Sequence, residues 1–139
     1  MTNIAVIGAG GRMGKALIET IAATDGVQLK GALENPQSSL IGVDAGELAG
    51  IGRNNIALVA SLQEIVGDFD ILIDFSIPSV TAANAAFCAA HGKKMVIGTT
   101  GLDQAQLQSV MQASHSNAVC MASNYATGVN LCFKLAELA

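Results

Sequence analysis

No tryptophan occurs in this chain, and its aromatics amount to four Phe and one Tyr. A core must therefore come from Ala, Val, Ile and Leu, which suits a parallel sheet covered on both faces by helices. Charge is also scarce: 13% of residues, net −4, with no basic run. That disfavours a nucleic-acid surface. No apolar run approaches the ~18 residues a membrane helix needs, and no charged segment leads an apolar run at the N-terminus. We therefore expect neither a membrane span nor a signal peptide. Cys88, Cys120 and Cys132 are odd in number and lack C-x-x-C spacing. They are expected to be small buried residues of a reducing, cytoplasmic compartment, with no disulfide frame and no metal site. What remains is a single domain of 139 residues, 51% hydrophobic, able to build a core without staples.

The most informative stretch is Ile4-Ala5-Val6-Ile7-Gly8-Ala9-Gly10-Gly11-Arg12-Met13-Gly14. An apolar strand runs into clustered glycines, and Met13, Leu17, Ile18 and Ile21 then recur at helical spacing. A helix N-terminus offers unpaired N–H groups and the positive end of its dipole, and glycines let a pyrophosphate approach. The usual fingerprint is G-x-G-x-x-G, but the third position here falls on Met13 and Gly14 comes one residue late. No Gly-Lys-Ser/Thr ending points to a mononucleotide P-loop.

Val27 to Leu33 reads as a second strand ending at Glu34, twenty residues beyond Gly14. An acid there hydrogen-bonds the adenosine ribose in dinucleotide folds. Its charge repels a 2′-phosphate, and Asn35 follows in place of an arginine, so the local chemistry favours NADH, with NADPH possible; Arg12 or Lys15 could weaken that preference. Residues 35–55 read as an irregular surface excursion, 56–59 as a short strand, and Ser61 to Glu64 as a capping box opening a short helix. The apolar strand around Ile71 to Ile73 emerges as Asp74-Phe75-Ser76-Ile77-Pro78, with Ser79 able to cap the next helix. Its last turn holds His91, expected to complement the helix dipole or to be solvated, and His115 is expected to be structural or exposed. A strand from Lys93 to Ile97 leads to Gly98-Thr99-Thr100-Gly101, and Asp103 with Gln106 starts a helix whose Leu107, Val110 and Met111 face the sheet. A strand over 118–122 and a loop over 123–128 precede a final helical pattern from Val129 that ends without a stop signal.

Strand–helix alternation without hairpin signals predicts an α/β, Rossmann-type doubly wound parallel sheet with helices on both faces. Its ligands bind at the carboxyl edge. There, Gly8–Gly14 and Glu34 are set to hold pyrophosphate and adenosine. The later loops can line a nicotinamide: Thr99, Thr100 and nearby backbone for its carboxamide, Tyr125 for its ring. No paired carboxylates, Ser/His/Asp arrangement or general acid for a substrate is evident, so no catalytic residue is assigned.

Taken together, Gly8-Ala9-Gly10-Gly11-Arg12-Met13-Gly14, Leu33-Glu34, Ile73-Asp74-Phe75-Ser76 with Pro78, Val96-Ile97-Gly98-Thr99-Thr100-Gly101 and Asn124-Tyr125-Ala126-Thr127-Gly128-Val129-Asn130 resemble the dihydrodipicolinate (4-hydroxy-tetrahydrodipicolinate) reductase family. The resemblance implies reduction of a cyclic dicarboxylate intermediate by NADH or NADPH on the diaminopimelate route to lysine. It implies cofactor contacts at Gly8, Ala9, Gly10, Gly11, Arg12, Met13, Glu34, Gly98, Thr99, Thr100, Ala122, Ser123, Asn124 and Tyr125. It further implies that residues 1–128 form the dinucleotide-binding domain and that 129–139 begin the helix leading to a substrate and oligomerisation domain. The family's adjacent histidines, proton-donating lysine and Ser-Gly-Thr substrate loop are not found in these residues, so the chain is expected to bind cofactor but not to turn over substrate alone. A homotetramer is implied for the full-length enzyme, with a monomer possible for this part. Two other readings stay open: the N-terminal domain of another two-domain dehydrogenase, of aspartate or homoserine type, and a nucleotide-sensing module without chemistry.

Overall fold

Strand periodicity explains how the sheet is covered. In β1 (Thr2–Ile7) of the computed structural model, which describes all 139 residues, alternate side chains point to opposite faces. Ile4 and Val6 join Ile21 of α1 (Arg12–Ala22), whose Ile18 packs with Ala9, Ala32 and Leu58, while Ala5 joins the opposite core. Burying each isoleucine of α1 contributes about 1.5–3 kcal/mol. The chain continues through β2 (Val27–Leu33), α2 (Ala45–Ala49), β3 (Leu58–Val59) and a 3-10 turn (Leu62–Ile65). It then forms β4 (Ile71–Asp74), α3 (Pro78–Ala90), β5 (Lys94–Ile97), α4 (Gln104–Ser114), β6 (Val119–Met121) and α5 (Thr127–Leu138).

Six parallel strands lie in the order β3-β2-β1-β4-β5-β6. This is the expected Rossmann-type doubly wound sheet. The direction of winding reverses between β1 and β4, opening a crevice at their carboxyl ends. α1 and α2 cover one face over Ala32 and Leu58. The 3-10 turn, α3 and α4 cover the other over Leu33, Leu72, Met95 and Ile97. No helix is long and apolar enough to cross a membrane.

Several local expectations are corrected. The 35–55 excursion contains α2, too short to show periodicity, which exists because Asp44 caps it. That carboxylate accepts the N–H groups of Gly46, Glu47, Asn54 and Asn55. The segment after Ser61 is 3-10, not α, although its capping box with Glu64 forms. The third strand pairs only at Leu58 and Val59, not from Ile56. α3 starts two residues earlier than a Ser79 cap would set it: Ile77 is its N-cap and Pro78 its first residue, where a missing N–H costs nothing. Met13 and Met111 are exposed rather than core-facing, because Gly14 and Ala113 take the close-packed positions beside them. The last helix begins at Thr127 rather than Val129, and none of its twelve residues is buried. Cys88 is buried, but Cys120 and Cys132 are exposed, one on the outer strand β6 and the other on that uncovered helix.

Candidate functional site

The glycine turn uses its inner donors to hold its own shape. The N–H groups of Gly8 and Ala9 both donate to Leu33 O, at 3.0 and 2.9 Å, and Gly11 N–H donates to Gly8 O at 3.0 Å. Gly8 has φ +76°, a left-handed conformation that favours glycine. The N–H groups of Arg12, Met13 and Gly14 have no partner in the protein, and Gly11 offers no side-chain cap. Three free donors at the start of an eleven-residue helix make an anion seat. The late third glycine has a clear steric cause. A Cβ at Gly14 would run into Gly8 O and lie 2.7 Å from Ala9 Cα, so helix and turn pack here without a side chain between them.

Glu34 lies beside this seat, at the end of β2. Its Oε2 accepts Gly10 N–H at 2.8 Å and its Oε1 accepts Asn35 N–H at 2.9 Å. The carboxylate is thus oriented by two backbone donors, and each oxygen keeps a lone pair for a further donor. Asn35 Oδ1 turns back to Gln37 N–H, so this side chain tightens its own loop. A cavity of about 630 Å³ starts at Gly8 and Glu34 and runs between α3 and the 3-10 turn. Pro36, Leu62, Ile77, Val80 and Phe87 give it apolar walls. Its size and lining suit an organic ring system with a few polar anchors.

On the other side of the crevice a shallower cavity of about 190 Å³ is lined by Thr99, Thr100, Gly101, Met121, Ala122 and Ser123. The structure therefore groups the predicted residues as two sets, Gly8 to Glu34 and Thr99 to Ser123, on either side of the β1/β4 switch. Gly98 lines neither cavity. The Phe75 ring lies where a Gly98 Cβ would be, and it meets Tyr125 with centroids 6.1 Å apart. Tyr125 OH donates to Ile97 O at 2.7 Å and lies 3.3 Å from Cys120 O. Partial burial raises the Tyr125 pKa, and its contact with Cys120 adds to that, so the phenol stays protonated at neutral pH. Asn124 turns the chain ahead of the following helix: its Oδ1 accepts Ala126 N–H at 2.7 Å, and its carbonyl takes the Asn130 amide.

One expected role does not hold for its side chain. Thr99 is 6% exposed, and its hydroxyl belongs to a buried network. Thr99 Oγ1 accepts from Thr81 OH at 2.8 Å and Ser76 N–H at 3.1 Å, and its proton is directed to Asp74. No donor is left for a ligand, so only Thr99 backbone and the exposed Thr100 face the cavity. The hub is Asp74, fully buried at the end of β4. Its Oδ1 accepts from Ser76 N–H at 2.9 Å and Ser76 OH at 2.5 Å, and its Oδ2 from Asn84 Nδ2 at 3.0 Å. These donors tie the β4–α3 loop, the β5–α4 loop and α3 into one unit.

The Asp74–Pro78 loop was expected to line the nicotinamide end, but neither Asp74 nor Asn84 was given a role of its own from the sequence. The available signal was an acid ending an apolar strand, with Thr81 and Asn84 three residues apart on an otherwise alanine-rich helix. Elsewhere, His91 is structural: its Nδ1 lies 2.9 Å from Phe87 O and its ring stacks on Phe87. Burial, with a smaller push from Asp74, raises the Cys88 thiol to about 12, which leaves it inert. No three His, Cys, Asp or Glu side chains gather as a metal site.

Residues 2–125 match the family model described as dihydrodipicolinate reductase, N-terminus. The 4-hydroxy-tetrahydrodipicolinate reductase of Saccharophagus degradans is 52% identical over 138 residues, covering 99% of this chain and 52% of that protein. The chain thus spans about half the length of this curated relative. Among solved structures, a dipicolinate-bound dihydrodipicolinate reductase from Paenisporosarcina sp. TG-14 superposes with TM-score 0.80 at 24% identity, over 100% of this chain and 53% of that one. GenD2 of gentamicin A biosynthesis, in complex with NAD, gives 0.73 at 20% identity, over 97% of this chain and 38% of that one. At these identities both likenesses speak to the fold.

Proposed function

The chain belongs to the dihydrodipicolinate reductase family, as its N-terminal part, and from that premise we propose that it is the cofactor-holding half of a 4-hydroxy-tetrahydrodipicolinate reductase. The observation that carries this reading is the pairing of three free N–H groups at Arg12–Gly14 with the oriented Glu34 carboxylate at the mouth of the larger cavity. The residues fit a dinucleotide. Arg12, Met13 and Gly14 N–H groups hold the pyrophosphate, with Gly8, Ala9, Gly10 and Gly11 giving it room. Glu34 accepts from the adenosine ribose. Gly98, the backbone of Thr99, Thr100, and the Ala122–Tyr125 loop receive the nicotinamide. A bound reduced nicotinamide supplies the hydride.

The residues of this chain orient that cofactor and screen it from water, and none of them protonates the substrate. In this reading residues 1–128 are the binding domain, and 129–139 begin the helix that leads to the substrate-binding part. The exposed Leu131, Phe133, Leu135 and Leu138 support that role, since they line a helix that its own domain does not cover. The substrate is a cyclic dicarboxylate of the lysine and diaminopimelate route. The full-length enzyme is a cytoplasmic homotetramer, where its pyridine-nucleotide pool resides. NADH is preferred over NADPH, because Glu34 opposes a 2′-phosphate and Asn35 offers no compensating cation.

Calorimetry of the 139-residue chain with NADH, NADPH and ADP-ribose tests the reading. Tighter binding of NADH than NADPH, without reductase turnover by this chain alone, is the expected result. No binding of any of the three, or measurable turnover, overturns it.

A further inference from the structure

We infer that the Asn84 carbonyl oxygen reads the base of the bound dinucleotide, accepting from an exocyclic amino group in the larger cavity. The inference rests on the proposed dinucleotide reading and goes further by assigning its base selectivity. Asn84 is 9% exposed and lines that cavity with Val80, Ala83 and Phe87 of the same helix. Only one end of its amide has a partner in the protein: Nδ2 donates to Asp74 Oδ2 at 3.0 Å. No buried side-chain polar atom in the chain lacks a partner, so the unpartnered Oδ1 is an atom with open surface, and the open surface beside this residue is the cavity.

The amide cannot turn over without cost. Asp74 is an acceptor hub, with Oδ1 occupied by Ser76 N–H, Ser76 OH and Thr99 OH. Its Oδ2 therefore requires a donor from Asn84, and that requirement fixes which end of the amide faces the cavity. Beside Val80, Ala83 and Phe87, in a cavity that Ser61, Gln63 and Ser76 also line, this oriented acceptor selects a ring bearing an amino donor over the same ring bearing a carbonyl there, since two acceptors would face each other with no proton between them. Adenine carries such an amino group and hypoxanthine does not.

The test compares NADH with its deamino analogue, reduced nicotinamide hypoxanthine dinucleotide, by calorimetry on the 139-residue chain. NADH is expected to bind about tenfold tighter. Asn84→Ala should bring the ratio near one, chiefly by weakening NADH. Asp74→Asn gives the sharper result. Its new NH₂ takes the Oδ2 position, the Asn84 amide turns to accept from it, and an Asn84 N–H then faces the cavity. The preference should invert toward the deamino analogue. Ratios of affinities within one variant are insensitive to a general loss of stability, and the wild-type ratio tests the idea without any variant. Equal wild-type affinities, or a ratio unchanged in Asn84→Ala, overturn the inference alone. Binding of neither dinucleotide overturns the dinucleotide reading together with it.

Discussion

The two sides of the crevice are built differently. On the Gly8–Glu34 side nearly every functional contact is backbone: free N–H groups, carbonyls that fold the turn, and a carboxylate held by two N–H donors. The cavity there is deep and walled by α3 and the 3-10 turn. On the Thr99–Tyr125 side the cavity is about 190 Å³ against about 630 Å³, and its walls include the outermost strand β6. The helix that follows, α5, has no buried residue. A site made from backbone at a helix N-terminus is complete once the helix packs. A site made from loops at a sheet edge keeps only the order that neighbouring side chains impose, here Phe75, Tyr125 and the Asp74 network.

Substitutions can separate the two sides. Gly14→Ala should have the largest effect, since its Cβ meets backbone atoms of Gly8 and Ala9 that cannot rotate away. We expect a loss of about 1–3 kcal/mol in stability and at least about a tenfold loss of affinity for both NADH and ADP-ribose. Chemical denaturation and calorimetry check this. Gly98→Ala is next. The nearest atoms its Cβ would meet belong to the Phe75 ring, a side chain that can rotate, unlike the backbone at Gly14. It should weaken NADH roughly fivefold while leaving ADP-ribose unchanged, because the disturbance is confined to the nicotinamide side. Equal losses for the two ligands would show that the sides are not independent.

Glu34→Gln keeps acceptor capacity at one oxygen but removes the charge. The NADH-to-NADPH affinity ratio should fall by roughly tenfold, about 1.4 kcal/mol, mostly through tighter NADPH binding. Titrating both cofactors by nicotinamide fluorescence measures that ratio. The smallest effect lies away from both cavities, at Asp44. Partial burial raises its pKa, but the N–H groups of Asn54, Glu47, Asn55 and Gly46 outweigh that and leave it below 3.8. A carboxylate with a lowered folded-state pKa stabilises above its unfolded value and loses that contribution as pH falls through the folded one. Thermal melts should therefore show wild type and Asp44→Asn converging at pH values well below 3.8 and separating above it, with dinucleotide affinity at neutral pH unchanged.

Legibility followed the range of the forces involved. β2 was readable to the residue, because Val27–Leu33 carries its own apolar signal. The capping boxes at Ser61 and Asp103 formed as written, since each is closed within three residues. The α2 helix was not readable: its cap, Asp44, is completed by N–H groups ten and eleven residues away. Thr99 was assigned to a ligand because a threonine after a glycine turn is a plausible donor. Its hydroxyl is instead spent on Asp74 and Thr81, partners that only the packing of α3 against β4 and β5 brings within reach. Cys120 and Cys132 were expected inside on residue type, and the outer strand and uncovered helix that carry them leave them exposed.

By itself the sequence determined the alternation of strands and helices, the glycine turn at the start of α1 and the acid at the end of β2. These are local matters of periodicity, backbone freedom and chain order. Tertiary structure alone decided that Gly14 must be bare against Gly8 and Ala9, that Glu34 reaches back to Gly10, and that Asp74 orients Asn84 toward the cavity. Hydrogen bonds and excluded volume act over a few ångströms of space, and separation along the chain says little about which groups will share them.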